Sequence, residues 1–311
     1  MVKTASFSYP SQDRIHQIHT SLWIPAESPK AMVQIIHGLS EHVERYDRFA
    51  RFLAQNGFLV FGEDHLGHGR TALADDSYGW FAEKNGWGKV LKDVRQLTLL
   101  MRERHPRLPC FLFGHSMGSF LARDYLIHWP DGVEGAILSG TGQEPAPLIT
   151  IGRLFSSLLC RMGKGKKVSP FLTLLSLGAY NHKFAPNRTP VDWISRDESV
   201  QDACLSDPLR VSRPTAGLFR DMLTGLTRIG DPGYLARMDP DTPVLLLSGD
   251  KDPVGGQGKG VEKVYSRLRA AGCTDVSLRL YHDGRHEMLN ELNYRQVQRD
   301  ILAWLDAKLP C

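Results

Sequence analysis

Ser116 stands at the centre of Gly114-His115-Ser116-Met117-Gly118, directly after the apolar run Cys110-Phe111-Leu112-Phe113. A strand feeding a G-x-S-x-G turn, with a helix behind it, is the setting in which such a serine is a nucleophile. The glycines permit a turn tight enough to lift the hydroxyl clear of a sheet. Ser119 to Trp129 reads as the helix, with Phe120, Leu121, Tyr125 and Leu126 at apolar spacing.

A serine hydroxyl attacks poorly at neutral pH unless a base takes its proton and a carboxylate orients that base. Where the serine sits on a strand–helix elbow, acid and histidine follow it in the chain. The run Pro243–Ser248 leads into Gly249-Asp250-Lys251-Asp252-Pro253, and Val276–Tyr281 leads into His282-Asp283-Gly284-Arg285-His286-Glu287. His286, in a loop after a glycine, is the candidate base. His282 shares the strand parity of Leu278 and Leu280 and reads as a packed or surface histidine. Spacing alone does not separate Asp250 from Asp252: either orients the imidazole and the other forms the turn.

Acyl transfer also needs two N–H groups aimed at the developing oxyanion. The residue after the nucleophile, Met117, is one source, and the loop His37-Gly38-Leu39-Ser40-Glu41-His42 after Met32–Ile36 offers the Leu39 N–H as the second. Asp64-His65-Leu66-Gly67-His68-Gly69-Arg70 follows the next strand, and His65 and His68 are expected to brace the oxyanion loop by hydrogen bonding. These histidines lack the acidic pattern of a zinc site, and His286-Glu287 lacks the second histidine of H-E-x-x-H. Neither a metal nor a cofactor is expected.

The elements that must position these residues alternate. Met32–Ile36, Phe58–Phe61, Cys110–Phe113, Val133–Leu138, Val244–Leu247 and Val276–Leu280 are strand candidates, with amphipathic helices between them. One helix carries Tyr46, Phe49, Ala50 and Leu53 and stops at Gly57; another carries Trp87, Val90, Leu91, Val94 and Met101; the last carries Tyr294, Val297, Ile301, Trp304 and Leu305. This alternation implies an α/β fold with a mostly parallel sheet covered on both faces. Ala5 to Pro25 reads as an antiparallel edge hairpin. Residues 142–238 break the pattern: they are Leu-rich, helical and without convincing strands, and are read as a cap inserted into a core of 1–141 and 239–311. Ile151, Leu154, Phe155, Leu158, Leu159 and Met162 follow helix spacing, and this helix either lines an apolar tunnel or packs on the body. Its basic flank, Arg161, Lys164, Lys166 and Lys167, is read as a solvated surface, with peripheral contact to an anionic membrane as the alternative. Gly255 to Gly260 lacks the G-K-[ST] ending of a phosphate loop and reads as an ordinary loop.

Bulk properties narrow the class. The chain has 311 residues, 42% hydrophobic and 23% charged, with a net charge of +4, too weak a basic balance to argue for nucleic acid. Five scattered cysteines suggest free thiols in a reducing compartment rather than a disulfide framework. Without a signal-like apolar core or a run of membrane-span length, a cytoplasmic protein is expected. Oligomeric state is not legible.

Taken together in order, His37–His42 with Arg45-Tyr46, Asp64–Gly69, Gly114–Gly118, Gly249–Asp252 and His286-Glu287 span nearly the whole chain. They resemble the monoacylglycerol lipase and lysophospholipase group of serine hydrolases. That resemblance implies an α/β-hydrolase fold, an eight-stranded, mostly parallel sheet with an inserted helical cap. In the group's G-x-x-D pattern the acid falls on Asp252, the base on His286 and the first oxyanion donor on Leu39. Glu41, Arg45 and His115 match positions where the group places polar side chains near the glycerol or headgroup. Ser206-Asp207-Pro208-Leu209 also matches, but Cys204 stands where an aromatic is common. The expected reaction is hydrolysis of a monoacyl lipid ester through an acyl-enzyme. An esterase of small non-lipid esters, an acyltransferase on the same triad, and a non-catalytic binding protein are the alternatives.

Overall fold

The computed structural model describes residues 1–73, 77–174, 178–211 and 214–309. Its centre is an eight-stranded sheet of β1 (Lys3–Pro10), β2 (Gln17–Ile24), β3 (Ala31–Ile36), β4 (Phe58–Glu63), β5 (Cys110–His115), β6 (Gly135–Ser139), β7 (Val244–Gly249) and β8 (Val276–Tyr281). The longer helices are α1 (Asp47–Gln55), α2 (Gly86–Arg104), α3 (Met117–His128), α4 (Ala146–Leu159), α5 (Glu198–Ser206), α6 (Ala216–Ile229), α7 (Lys259–Ala270) and α8 (Tyr294–Ala307). Strand order is β1-β2-β4-β3-β5-β6-β7-β8. Pairings from β4 to β8 are parallel; β1 with β2 and β2 with β4 are antiparallel. The N-terminal hairpin is therefore only half an edge, because β2 is an interior strand. β6 begins at Gly135 rather than Val133, since Gly135 is the first residue in register with Phe111.

The strands read as continuous apolar runs because both faces are covered. Met32, Leu59, Leu112, Leu138 and Leu246 pack on one side, against α2, α3 and α7. Their alternates Val33, Val60, Phe111, Phe113 and Leu247 pack on the other, against α1 and α8. α1 stops where expected: Gly57 holds a left-handed φ of 86° and its N–H bonds to the Ala54 carbonyl.

Between β6 and β7 the described residues form only helices, turns and one isolated bridge, Val168 to Thr215. α6 is seated on the body by close approach. A Cβ on Gly225 would lie 2.2 Å from the Trp87 ring, and one on Gly217 would lie 2.0 Å from Trp80. α4 packs across α6, so Ile149 is buried while Leu154 and Leu158 face outward. No described helix is long and apolar enough to cross a membrane.

A buried polar cluster ties the hairpin to β4 and α2. The Tyr9 hydroxyl donates to Glu63 and to the Asp93 carbonyl, and Ser11 Oγ donates to Asp93 at 2.8 Å. Burial pushes the Glu63 and Asp93 carboxyls each up to about 8. Such groups bind protons in the folded state that the unfolded chain releases, so they destabilise the fold as pH rises from the ordinary carboxyl range to about 8. Glu63→Gln removes one of these titrations. Its stability, read by urea unfolding between pH 5 and 8, should decline less steeply than wild type, by up to about 1.4 kcal/mol per pH unit.

Candidate active site

Ser116 caps β5 and opens α3. Its backbone has φ 52° and ψ −120°, a region costly for a residue with a side chain. The turn closes only over glycine: a Cβ on Gly118 would lie 1.9 Å from the Ile36 carbonyl oxygen, and one on Gly114 would lie 2.5 Å from the Gly118 carbonyl oxygen. Ser116 N–H donates to the Ser139 carbonyl of β6 at 2.9 Å, which fixes the elbow to the sheet.

Asp252 and His286 come together from the ends of β7 and β8. His286 Nδ1 lies 3.0 Å from Asp252 Oδ1. Asp252 is fully buried and also accepts from Ser248 Oγ at 2.8 Å and the Val254 N–H at 2.9 Å. Burial opposes its ionisation, but the His286 charge and these donors hold it below the usual carboxylate range. Burial likewise pulls His286 down, and the Asp252 charge outweighs it, leaving the imidazole above its ordinary value. Asp250 points elsewhere. It accepts from the Asp283 N–H at 2.9 Å and faces exposed His282 at 3.2 Å. Asp250, His282 and Asp283 make a surface cluster; the spacing ambiguity is resolved by which carboxylate is buried against the base.

The oxyanion loop is held through one peptide. His65 N–H donates to His37 Nε2 at 3.1 Å, which places the His37 proton on Nδ1, 2.7 Å from the Gly38 carbonyl oxygen. In a trans peptide the C=O and N–H point opposite ways. Turning the Gly38 carbonyl toward His37 therefore turns the Leu39 N–H the other way. A Cβ on Gly38 would sit 3.2 Å from Ser116 Cβ, so this loop lies directly over the nucleophile. His68 Nε2 contacts the Leu39 carbonyl at 2.6 Å. Burial pushes His65 and His68 down to about 4, so both brace as neutral rings. Among the described residues neither Leu39 N–H nor Met117 N–H has an acceptor.

Ser116, His286, Leu39 and Met117 line one cavity of about 370 Å³. One end is apolar, walled by Leu148, Ile151, Phe155, Leu172, Phe219 and Leu223. Glu41, Glu287 and His115 stand in the wall nearer the base. Glu41 accepts from Tyr46 OH at 2.6 Å, and Glu287 takes both oxygens to Arg45 Nη2 at 3.1 and 2.8 Å. Arg45 Nε lies 3.7 Å from Glu41, so the guanidinium bridges two carboxylates and is not itself in the wall. Burial and the Glu287 charge raise the Glu41 carboxyl; burial works against Glu287, yet Arg45 holds it low. Burial beside His286 pushes His115 down to about 3.

Two features escaped sequence reading. Trp193 packs on His286 with ring centroids 5.0 Å apart, and His115 packs at 4.6 Å on the same ring. The segment 192–196 is stitched to the base loop: Trp193 and Ile194 carbonyls accept from His286 and Glu287 N–H groups, and Arg196 pairs with fully buried Glu291 at 2.9 Å. Both are long-range pairings with no local periodicity to announce them.

A strained serine elbow, a buried Asp–His pair and a loop with free N–H groups on this sheet define a serine ester hydrolase of the α/β-hydrolase fold. The family described as serine aminopeptidase, S33, matches residues 27–293. The chain belongs to this family, alongside proteins named as monoacylglycerol lipases. A monoacylglycerol lipase of Mycolicibacterium smegmatis is 29% identical over 93% of this chain and 92% of its own length. The monoglyceride lipase of Homo sapiens is 30% identical over 97% and 93%. A thermostable carboxyl esterase of Bacillus coagulans, solved with glycerol, superposes with a TM-score of 0.92 over all of both chains at 27% identity.

Removing each aspartate separates the two. Asp252→Asn should lower kcat by about 10³–10⁴, whereas Asp250→Asn should stay within about twofold of wild type. With His286 as the base, only its neutral form takes the serine proton, and the acid limb of kcat/KM should lie above the ordinary histidine value. Asp252→Asn removes the largest charge that opposes burial and leaves only the smaller pull of Glu287 and Glu41, so that limb should move to lower pH in a pH–rate profile.

Proposed function

We propose that the chain hydrolyses the carboxylic ester of a monoacyl lipid, a monoacylglycerol or lysophospholipid, through an acyl-enzyme on Ser116. The observation that carries this reading is the cavity: an apolar end walled by leucines and phenylalanines, polar lining residues that include Glu41, Glu144 and Glu287, and Ser116 in the same wall. Each methylene buried there contributes roughly 0.8 kcal/mol, which favours a long acyl chain over a short one. The lipase relatives and the glycerol-bound esterase support the same assignment.

In this reading His286 takes the hydroxyl proton as Ser116 attacks the ester carbonyl, and ionised Asp252 stabilises the imidazolium. The Leu39 and Met117 N–H groups take the oxyanion, each worth about 3 kcal/mol in comparable sites. His286 then protonates the leaving alcohol as the C–O bond breaks. Water, deprotonated by His286, releases the fatty acid and restores Ser116. We assign Glu41 and His115 to the alcohol portion; Arg45 acts by fixing Glu41 and Glu287.

The cap, taken as residues 142–238, belongs to this reading as the roof of the acyl end. Its outer face exposes Leu154, Leu158, Met162 and Leu174 beside Arg161, Lys164, Lys166 and Lys167. An apolar face with a basic rim fits peripheral contact with an anionic membrane. The free thiols of Cys110, Cys160, Cys204 and Cys273 support a reducing, cytoplasmic setting; Cys311 lies outside the described residues. A small-ester substrate is the second reading, favoured by the carboxyl esterase neighbour.

The deciding experiment is hydrolysis of a matched panel by wild type and Ser116→Ala. The panel holds short p-nitrophenyl esters, monoacylglycerols and lysophosphatidylcholines across acyl lengths. The expected outcome is a Ser116-dependent rise in kcat/KM with chain length. A maximum at short esters sinks the lipid assignment and leaves the triad standing. For the outer face, Leu154→Glu with Leu158→Glu should cut the ratio of activity on vesicle-borne to detergent-dispersed monoacylglycerol about tenfold. An unchanged ratio removes the membrane contact.

A further inference from the structure

The charged groups of the cavity wall pair unevenly. Glu287 and Arg45 neutralise one another in a two-oxygen contact, and Glu41 is shared between the Gly38 N–H, Tyr46 and the far side of Arg45. Arg210 lines the same cavity and has no carboxylate partner among the described residues. Its Nε is buried without a hydrogen-bond partner. Arg210 is partly exposed, and its guanidinium carries a planar fork of donors of which the buried Nε has no acceptor.

The backbone that carries Arg210 is anchored beside the oxyanion loop. His42 Nε2 lies 2.8 Å from Asp207 Oδ2, which ties the start of its turn to the oxyanion loop one residue from Glu41. The Leu209 N–H donates to Asp207 Oδ1 at 2.9 Å, and the Arg210 N–H to the Asp207 carbonyl at 3.3 Å. Cys204, on α5, is small, buried and in the same wall. Burial and Glu287 raise its thiol, while Arg45 and Arg210 oppose them, so the thiol lies within electrostatic reach of both arginines. The polar end thus combines a short side chain with an uncommitted guanidinium carried on an anchored turn.

We propose that Arg210 reads the headgroup: its guanidinium takes a phosphate carried on the alcohol portion of the ester, through the paired N–H···O geometry that suits arginine to phosphate. The proposal rests on the monoacyl-lipid reading and deepens it. A neutral glycerol ester leaves Arg210 without an acceptor; a glycerophospho ester supplies one. Arg210 therefore shifts specificity toward phosphate-bearing monoacyl lipids, whereas Glu41 and His115 serve both classes.

Two arms test this on the full chain with Arg210→Gln and Arg210→Lys, their folding checked by thermal midpoint. The first measures competitive inhibition of short p-nitrophenyl ester hydrolysis by sn-glycerol 3-phosphate, glycerol and inorganic phosphate. Wild type should bind glycerol 3-phosphate at least about tenfold more tightly than glycerol. Arg210→Gln should raise the glycerol 3-phosphate constant about tenfold and leave that of glycerol in place, with Arg210→Lys recovering part. Equal constants in wild type and Arg210→Gln overturn the assignment. Inorganic phosphate binding as tightly as glycerol 3-phosphate also overturns it, since the site would then hold a free anion rather than a headgroup. The second arm compares kcat/KM on lysophosphatidic acid and monoacylglycerol of one acyl length. Their ratio should fall about tenfold in Arg210→Gln, and an unchanged ratio counts against Arg210. A wild type that cleaves neither lipid fails the lipid reading alone, and the inhibition constants still decide Arg210.

Discussion

The backbone of Ser116 is the constraint on which the rest of the molecule depends. A residue with a side chain held at φ 52° and ψ −120° is strained by about 1–3 kcal/mol and persists only where its surroundings allow no relaxation. Here β5 is clamped between β3 and β6, and α3 packs directly onto β3 through Gly118. The sheet order, the apolar runs on both faces and the two elbow glycines all serve this one geometry. Its consequence is that the nucleophile and the first N–H of α3 emerge together, above the carboxyl ends of the strands. The Asp252 and His286 loops emerge at the same edge because β7 and β8 run parallel to β5.

A second layer of order is electrostatic. The site is buried, so its charges must be matched group by group. Asp252 stays ionised because two donors and the imidazole face it. Glu287 stays ionised because Arg45 is committed to it. The histidines behind the oxyanion loop stay neutral, and His37, bonded on both nitrogens, turns a peptide rather than carrying charge. Burial thus sorts chemically similar side chains into distinct roles. His286 keeps a raised affinity for protons, His115 on the same ring loses it, and the difference is the carboxylate that only His286 touches.

Much of this was legible in the sequence because catalytic groups on such a sheet sit just past strand ends. Gly114–Gly118, Gly249–Asp252 and His37–Leu39 are contiguous, and an apolar run announces each. The choice between Asp250 and Asp252 was not legible from spacing. Both follow β7 within three residues, and burial against a loop from β8 decides between them. The helix around Ile151 shows a different limit. Periodicity predicts an amphipathic helix, but not which medium its apolar side meets. Part of that side lines the cavity and part lies exposed, at Leu154 and Leu158. The β2 strand was read as an edge because a hairpin pattern does not say what pairs on its far side; β4 does.

The region between β6 and β7 is not uniform, and its two halves have different physical ties. Residues 192–196 bond to the base loop through backbone and side chain, with Glu291 fully buried beneath Arg196 and the Arg285 N–H. Moving that segment would expose a buried carboxylate and strip His286 of Trp193, so it behaves as part of the catalytic body. α4 instead rests on α6 through apolar contacts, with most of its large side chains facing outward. Its contacts are non-directional, unlike the hydrogen bonds and ion pair of residues 192–196. The chain between β6 and β7 thus joins the body in two ways: directional polar bonds hold Trp193 against the His286 ring, and apolar packing seats α4 beside the apolar wall of the cavity.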